Sequence, residues 1–205
     1  MRMDRVILRA ALSTLAAIVA LMLFMILALS LAFPSTLMTI TYDLGMDASS
    51  VHYAERAYAQ SGEDVYFIAY ATEVAIGSDN YEKIESCGEK FISDDEFASY
   101  CQKRNQEIAS KGGYEQYVFG QVCLAKYRMG DKTEAVERAA ELIAGGFPPS
   151  NALAAVGMAA LANGDTATAL QVKTKMIEMS TTEFSSTDLE YYGKILLALE
   201  NGLNG

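Results

Sequence analysis

The hydrophobic and polar positions of this chain divide into one long unbroken apolar run and a series of short periodic segments. Residues 10–33 carry no charged side chain and are dominated by Leu, Ala, Ile, Met and Val. As a helix these 24 residues would reach about 36 Å, more than the roughly 30 Å hydrocarbon core of a bilayer. Beyond residue 48, apolar residues recur at three- and four-residue intervals between short Gly, Asp, Asn and Ser breaks. β-Branched alternation, the mark of strands, is scarce. The periodicity predicts helices over 49–60, 63–76, 80–92, 94–110, 114–129, 132–144, 149–162, 165–179 and 187–200. The expected fold class is all-α.

Local chemistry marks several helix ends. Ser93-Asp94-Asp95-Glu96 and Thr187-Asp188-Leu189-Glu190 fit capping boxes, in which hydroxyl and carboxylate satisfy the first orphan N–H groups. Gly145-Gly146 followed by Pro148-Pro149 reads as a stop and a restart. Pro34 can end the apolar helix. The uncharged, Thr-rich stretch 35–42 reads either as a short extended tether or as the rim of the domain. The chain therefore divides into a basic N-terminus (1–9), a transmembrane helix (10–33), a tether (34–48) and a helical domain (49–205). Short helices joined by short breaks pack antiparallel, and pairs that bury one face must stack.

Two segments carry one pattern 34 residues apart: Gly130-Asp131-Lys132-Thr133-Glu134-Ala135 and Gly164-Asp165-Thr166-Ala167-Thr168-Ala169. That period is the length of one tetratricopeptide helix–turn–helix unit, and the domain resembles this repeat family. One unit covers about 116–149, with Cys123 at the small first-helix position, a Gly130-Asp131 turn, Ala135 and Ala139 on the second helix, and Pro148 near its end. The next covers about 150–183, with Gly157, Gly164-Asp165 and Ala169 in the same places. A degenerate earlier unit spans about 65–93, with Thr72 at the small position and Ile84 where Ala is usual. One extra helix, about 94–110, is inserted before the good repeats, and the last helix reads as a solvating cap. The resemblance covers roughly 65–200. It implies a solenoid of antiparallel hairpins whose first helices line a groove for protein segments. A looser α-solenoid of another type is the structural alternative.

Charge narrows the partners. Residues 1–33 hold Arg2, Arg5 and Arg9 against Asp4, so the other 172 residues carry 13 basic and 25 acidic side chains. A domain this acidic repels nucleic acid, which needs clustered Lys and Arg. Three Arg before the apolar run, and Asp43 and Asp47 after it, place the N-terminus in the cytoplasm and the domain across the membrane. Ser30-Leu31-Ala32 resembles a cleavage site, so a secreted domain with a removed signal is the rival reading. The run exceeds the 7–15 residues usual for such signals, which favours a retained anchor.

Catalytic chemistry is thinly provided. His52 is the only histidine, and general-base, zinc and nucleophile-pair sites mostly depend on that residue. On its apolar-flanked segment it suits a packing or surface role better than catalysis. Asp94, Asp95 and Glu96 complement a helix N-terminus more simply than they bind a cation. No phosphate-binding, zinc-protease or paired-cysteine motif occurs. No cofactor and no enzymatic activity are therefore expected.

Cys87 and Cys101 could form a disulfide between consecutive helices in an oxidising compartment. The alternative is that they and Cys123 are small buried hydrophobes at helix contacts. Tyrosines are frequent, and in the resembled family first helices line the groove. That assigns Tyr66, Tyr70 and Tyr117 as candidate partner contacts. The expectation is a single-pass, membrane-anchored scaffold for protein–protein interaction in an extracytoplasmic complex. The alternative is a structural subunit held by its membrane helix, on which Ala10, Ser13, Ala17 and Ala20 form a small-residue stripe.

Overall fold

In the computed structural model, residues 2–107, 113–144, 152–180 and 186–204 are described, with side chains over 8–107, 113–142, 152–179 and 193–204. The described residues are all helical apart from turns. The helices are α1 (Arg2–Ala32), α2 (Pro34–Asp43), α3 (Asp47–Gln60), α4 (Val65–Gly77), α5 (Tyr81–Ile92), α6 (Phe97–Glu107), α7 (Gly113–Met129), α8 (Lys132–Ala144), α9 (Ala152–Ala162), α10 (Thr166–Ser180) and α11 (Ser186–Asn204). Nine of these match the predicted segments to within a few residues.

The exception beyond α1 is α2. Residues 34–43 are helical rather than an extended tether, and Pro34, Met38 and Thr41 are buried. Pro34 stands at the first turn, where its missing N–H costs nothing. The same residue that ends α1 therefore begins α2. The segment packs on α3, and Ser50 donates a 2.9 Å bond to the Met38 carbonyl. Of the two readings of 35–42, the structure takes the rim of the domain.

Five helix ends reverse at a left-handed residue. Gly45, Gly62, Asp79, Gly130 and Gly164 all have positive φ, from 53° at Asp79 to 103° at Gly130. After Gly130, the amide of Asp131 bonds back to the Lys126 carbonyl and that of Gly130 to Tyr127. The same pair of bonds closes the ends at Gly45, Asp79 and Gly164. This is the Schellman closure, which satisfies orphan carbonyls and needs a left-handed residue. The first three reversals are 17 residues apart, 130 and 164 are 34 apart, and 79 to 130 is 51, three 17-residue steps. Helix starts are capped in turn: Asp64 accepts from the Tyr66 amide, Asn80 from Lys83 and Asp165 from Thr168.

The Ser93 capping box is not formed. The α6 helix begins at Phe97, and Asp94, not Ser93, accepts from the Glu96 amide. Gly145-Gly146 and Pro148-Pro149 lie outside the described residues, as do the side chains of 187–190.

Consecutive helices from α2 to α5 pack on one another, and α5 then packs on α7. The α6 helix sits against α7 and, more lightly, α4. Its Phe97 ring lies 4.8 Å from Phe91 and 5.6 Å from Phe119, in an aromatic cluster with Tyr100 and Tyr114. From α7 onward the contacts alternate: α7 touches α8 and α9, α8 touches α10, and α9 touches α10 and α11.

Small residues set these distances. A Cβ on Gly157 would come within 2.9 Å of Val172 Cγ1 and 3.2 Å of Leu199 Cδ2. One on Gly88 would overlap Val122 Cγ2. Cys123, Ala135 and Ala169 are fully buried. The α5–α7–α8 junction also holds a buried cation: Lys126 Nζ lies 2.6 Å from Glu85 and 3.0 Å from Glu134. Burial pulls the Lys126 pKa down, but these carboxylates outweigh it and the net direction is up.

Candidate functional site

The three tyrosines singled out in the sequence fall along one surface formed by α2, α4, α6 and α7. Periodicity explains the placement. On α4, Val65, Ile68, Ala69 and Thr72 turn inward, which leaves Tyr66, Tyr70 and Glu73 along the opposite side. On α7, Tyr114 and Val118 are buried and Tyr117 is exposed. Two cavities open on this surface. One, of about 410 Å³, is lined by Tyr42, Asp47, Tyr70, Glu73, Val74 and Gly77. The other, of about 460 Å³, is lined by Glu73, Ile76, Gly77, Arg104, Gly113, Tyr114 and Tyr117. They share Glu73 and Gly77, and so lie side by side on this surface.

The tyrosines are not equivalent. Tyr66 and Tyr117 are about half exposed, at 50% and 47%. Tyr70 is half-buried: its ring meets Tyr42 edge-on at 5.9 Å, and its hydroxyl lies 3.4 Å from Ser50 Oγ. Tyr70 therefore holds α4 to α2 and α3 as well as lining the groove. Tyr42, with 51% exposure, lines it too. In the sequence its segment reads as a tether, and its one signal is an aromatic beside an Asp at the end of a Pro-initiated helix.

Glu73 is the electrostatic centre. It accepts a 2.7 Å bond from the Tyr114 hydroxyl and lies 3.5 Å from Arg104 Nη2. Burial, then Glu73, pushes the Tyr114 phenol far up. Burial and then Glu73 likewise hold Tyr100 at about 12 and raise Tyr117. Of the three phenols, Tyr114 donates its hydroxyl proton to Glu73. Arg104 Nε is buried and has no hydrogen-bond partner.

The remaining candidates divide. Gly130 and Gly164 are turn residues, and Cys123, Ala135, Gly157 and Ala169 lie at helix contacts. Cys87, Cys101 and Cys123 are buried free thiols, so Cys87 and Cys101 are not bridged. Cys87 lies beside Glu55 of α3, whereas Cys101 lies beside Glu115 of α7. Burial pushes the Cys87 and Cys123 thiols up to about 12 and raises Cys101 as well. His52 is exposed, with its ring 5.5 Å from Tyr53.

Asp94, Asp95 and Glu96 line a separate cavity of about 640 Å³ between α3 and the α5–α6 turn. There Asp94 accepts from the Tyr58 hydroxyl at 2.9 Å. Among the described residues no group of three or more His, Cys, Asp or Glu is arranged to hold a metal.

The α1 segment Leu8–Ala32 is long and apolar enough to cross a membrane, and its side chains are almost wholly exposed. No family model matches the chain, and no curated protein or solved structure is significantly similar to it.

Proposed function

We propose that this chain is a single-pass, membrane-anchored scaffold with a tetratricopeptide-like domain, which holds a protein segment in the groove of α2, α4 and α7. The observation that carries this reading is the pair of adjacent cavities that share Glu73 and Gly77, flanked by exposed Tyr66 and Tyr117. Half-exposed aromatics on rigid helices bury a large area at small entropic cost, as binding anchors do. The repeat-like reading is supported by the 17-residue spacing of the helix reversals and by the small residues where α9 meets α10 and α11. The Arg residues before α1 favour a cytoplasmic N-terminus, with the domain outside. The chain's role is binding, not catalysis.

The test separates the groove from the membrane helix. Tyr66→Ala and Tyr117→Ala change exposed side chains, so helicity by circular dichroism should be unchanged. If each anchor is worth about 2 kcal/mol, either change should weaken a co-purifying partner roughly thirtyfold. Exchanging residues 10–33 for an unrelated membrane helix should leave that partner bound. The opposite pattern would assign association to α1, the second reading, which the exposure of nearly all its side chains keeps in play.

A further inference from the structure

The α2 helix presents three different sides. Pro34, Met38 and Thr41 are buried against the domain. Phe33, Leu37, Ile40 and Leu44 recur at i, i+4, i+7 and i+11, and so share a second side. Three of them are strongly exposed, Phe33 at 57%, Ile40 at 46% and Leu44 at 68%. Ser35, Thr36, Thr39 and Asp43 occupy the third, polar side and are exposed. A helix with a polar side and an open apolar side is built for a boundary between water and an apolar phase.

Position along the chain says which phase. From Arg9 to Phe33 a helix rises about 36 Å, and a hydrocarbon core is about 30 Å thick. Phe33 therefore emerges just past the core, in the headgroup layer, and α2 begins at the next residue. No charged residue occurs between Arg9 and Asp43. The domain also grips the end of α1: Ser30 is buried, and Gln60 Nε2 donates a 3.0 Å bond to the Leu31 carbonyl. That grip keeps α2 beside the point where α1 leaves the core.

We infer that α2 is an interfacial helix that seats the Phe33–Leu37–Ile40–Leu44 side in the bilayer crossed by α1, and so fixes the domain against the membrane surface. The acidic domain gains nothing from anionic headgroups, so the seat depends on apolar insertion and forms on zwitterionic lipid. The inference rests on the reading of α1 as a membrane-crossing helix.

The chain contains no tryptophan, so single-Trp variants report position directly. Leu21→Trp, Ile40→Trp, Leu44→Trp and Leu170→Trp in the full chain would each be reconstituted in phosphatidylcholine vesicles. Lipid brominated near the glycerol end, or deep in the acyl chain, serves as quencher. The inference expects Leu44→Trp and Ile40→Trp to emit at shorter wavelength than Leu170→Trp and to lose more than half their emission to the shallow quencher. Leu21→Trp should respond most to the deep quencher, and Leu170→Trp to neither.

If Leu21→Trp is not quenched, the membrane-crossing reading fails and the seat fails with it. If Leu21→Trp is quenched while Ile40→Trp and Leu44→Trp are not, the seat alone is overturned. A blue shift at residue 44 without quenching would then assign the face to a second copy of the chain. Equal quenching at residue 170 would mean that the domain lies on lipid without preference for α2, which also overturns it.

Discussion

Asp165 makes several contacts at once. Its carboxylate lies 2.7 Å from Lys132 Nζ, accepts from the Thr168 amide and hydroxyl at 3.2 and 2.9 Å, and accepts from Tyr127 at 3.3 Å. It thus caps α10 while tying that helix to α7 and α8. The bond from Lys132, followed by those from Thr168, lowers its pKa from 3.8 to about 2. A carboxylate depressed in the folded state stabilises the fold above its unfolded pKa and loses that contribution as pH falls through the folded value. Between pH 3.8 and about 2 the protein should therefore lose stability that Asp165→Asn, already weaker at neutral pH, does not lose again. Parallel melts of the two proteins across that window check it. Parallel curves would mean that Asp165 is no better held folded than unfolded. The repeat pattern marked Asp165 as a turn residue, but its Lys132 and Tyr127 partners depend on the meeting of α7, α8 and α10, which no local pattern encodes.

At the scale of elements, glycines separate packing from propensity. Gly157 and Gly193 both lie inside helices, where alanine would ordinarily stabilise by up to about 1 kcal/mol. A Cβ at Gly193 meets nothing within 4 Å, but one at Gly157 meets Val172 and Leu199, both fully buried. Val172 is β-branched and cannot swing aside. Gly193→Ala should raise the melting temperature. Gly157→Ala should cost about 1–3 kcal/mol, as should Ala135→Leu and Ala169→Leu at the other helix contacts. If Gly157→Ala were neutral, α9 and α10 would not be held at this separation.

The helices were legible in the sequence because their apolar spacing and Gly-Asp breaks are local signals. The α2 helix was not. Its apolar residues divide between a protein-facing side and an open side, which blurs a single periodic stripe. Pro34 also has opposite meanings at the end of one helix and at the start of the next.

Across the whole molecule, the groove arises from what α6 does. It sits against α7 and α4 while α5 reaches α7 directly, and it carries Arg104 to the second cavity. Tyr66, Tyr70 and Tyr117 came together in the sequence only through the family resemblance. The Glu73–Arg104–Tyr114 cluster could not, because it joins three helices across 41 residues of chain.

The groove's claim on a protein segment is tested most directly by a photocrosslinking residue at each of four positions in the full chain, in the cells that make it. Benzoylphenylalanine at positions 66 and 117 should capture one and the same protein. The same residue at 170, on α10, or at 21, in α1, should not capture it. Capture at 21 or 170 with silence at 66 and 117 would contradict the account.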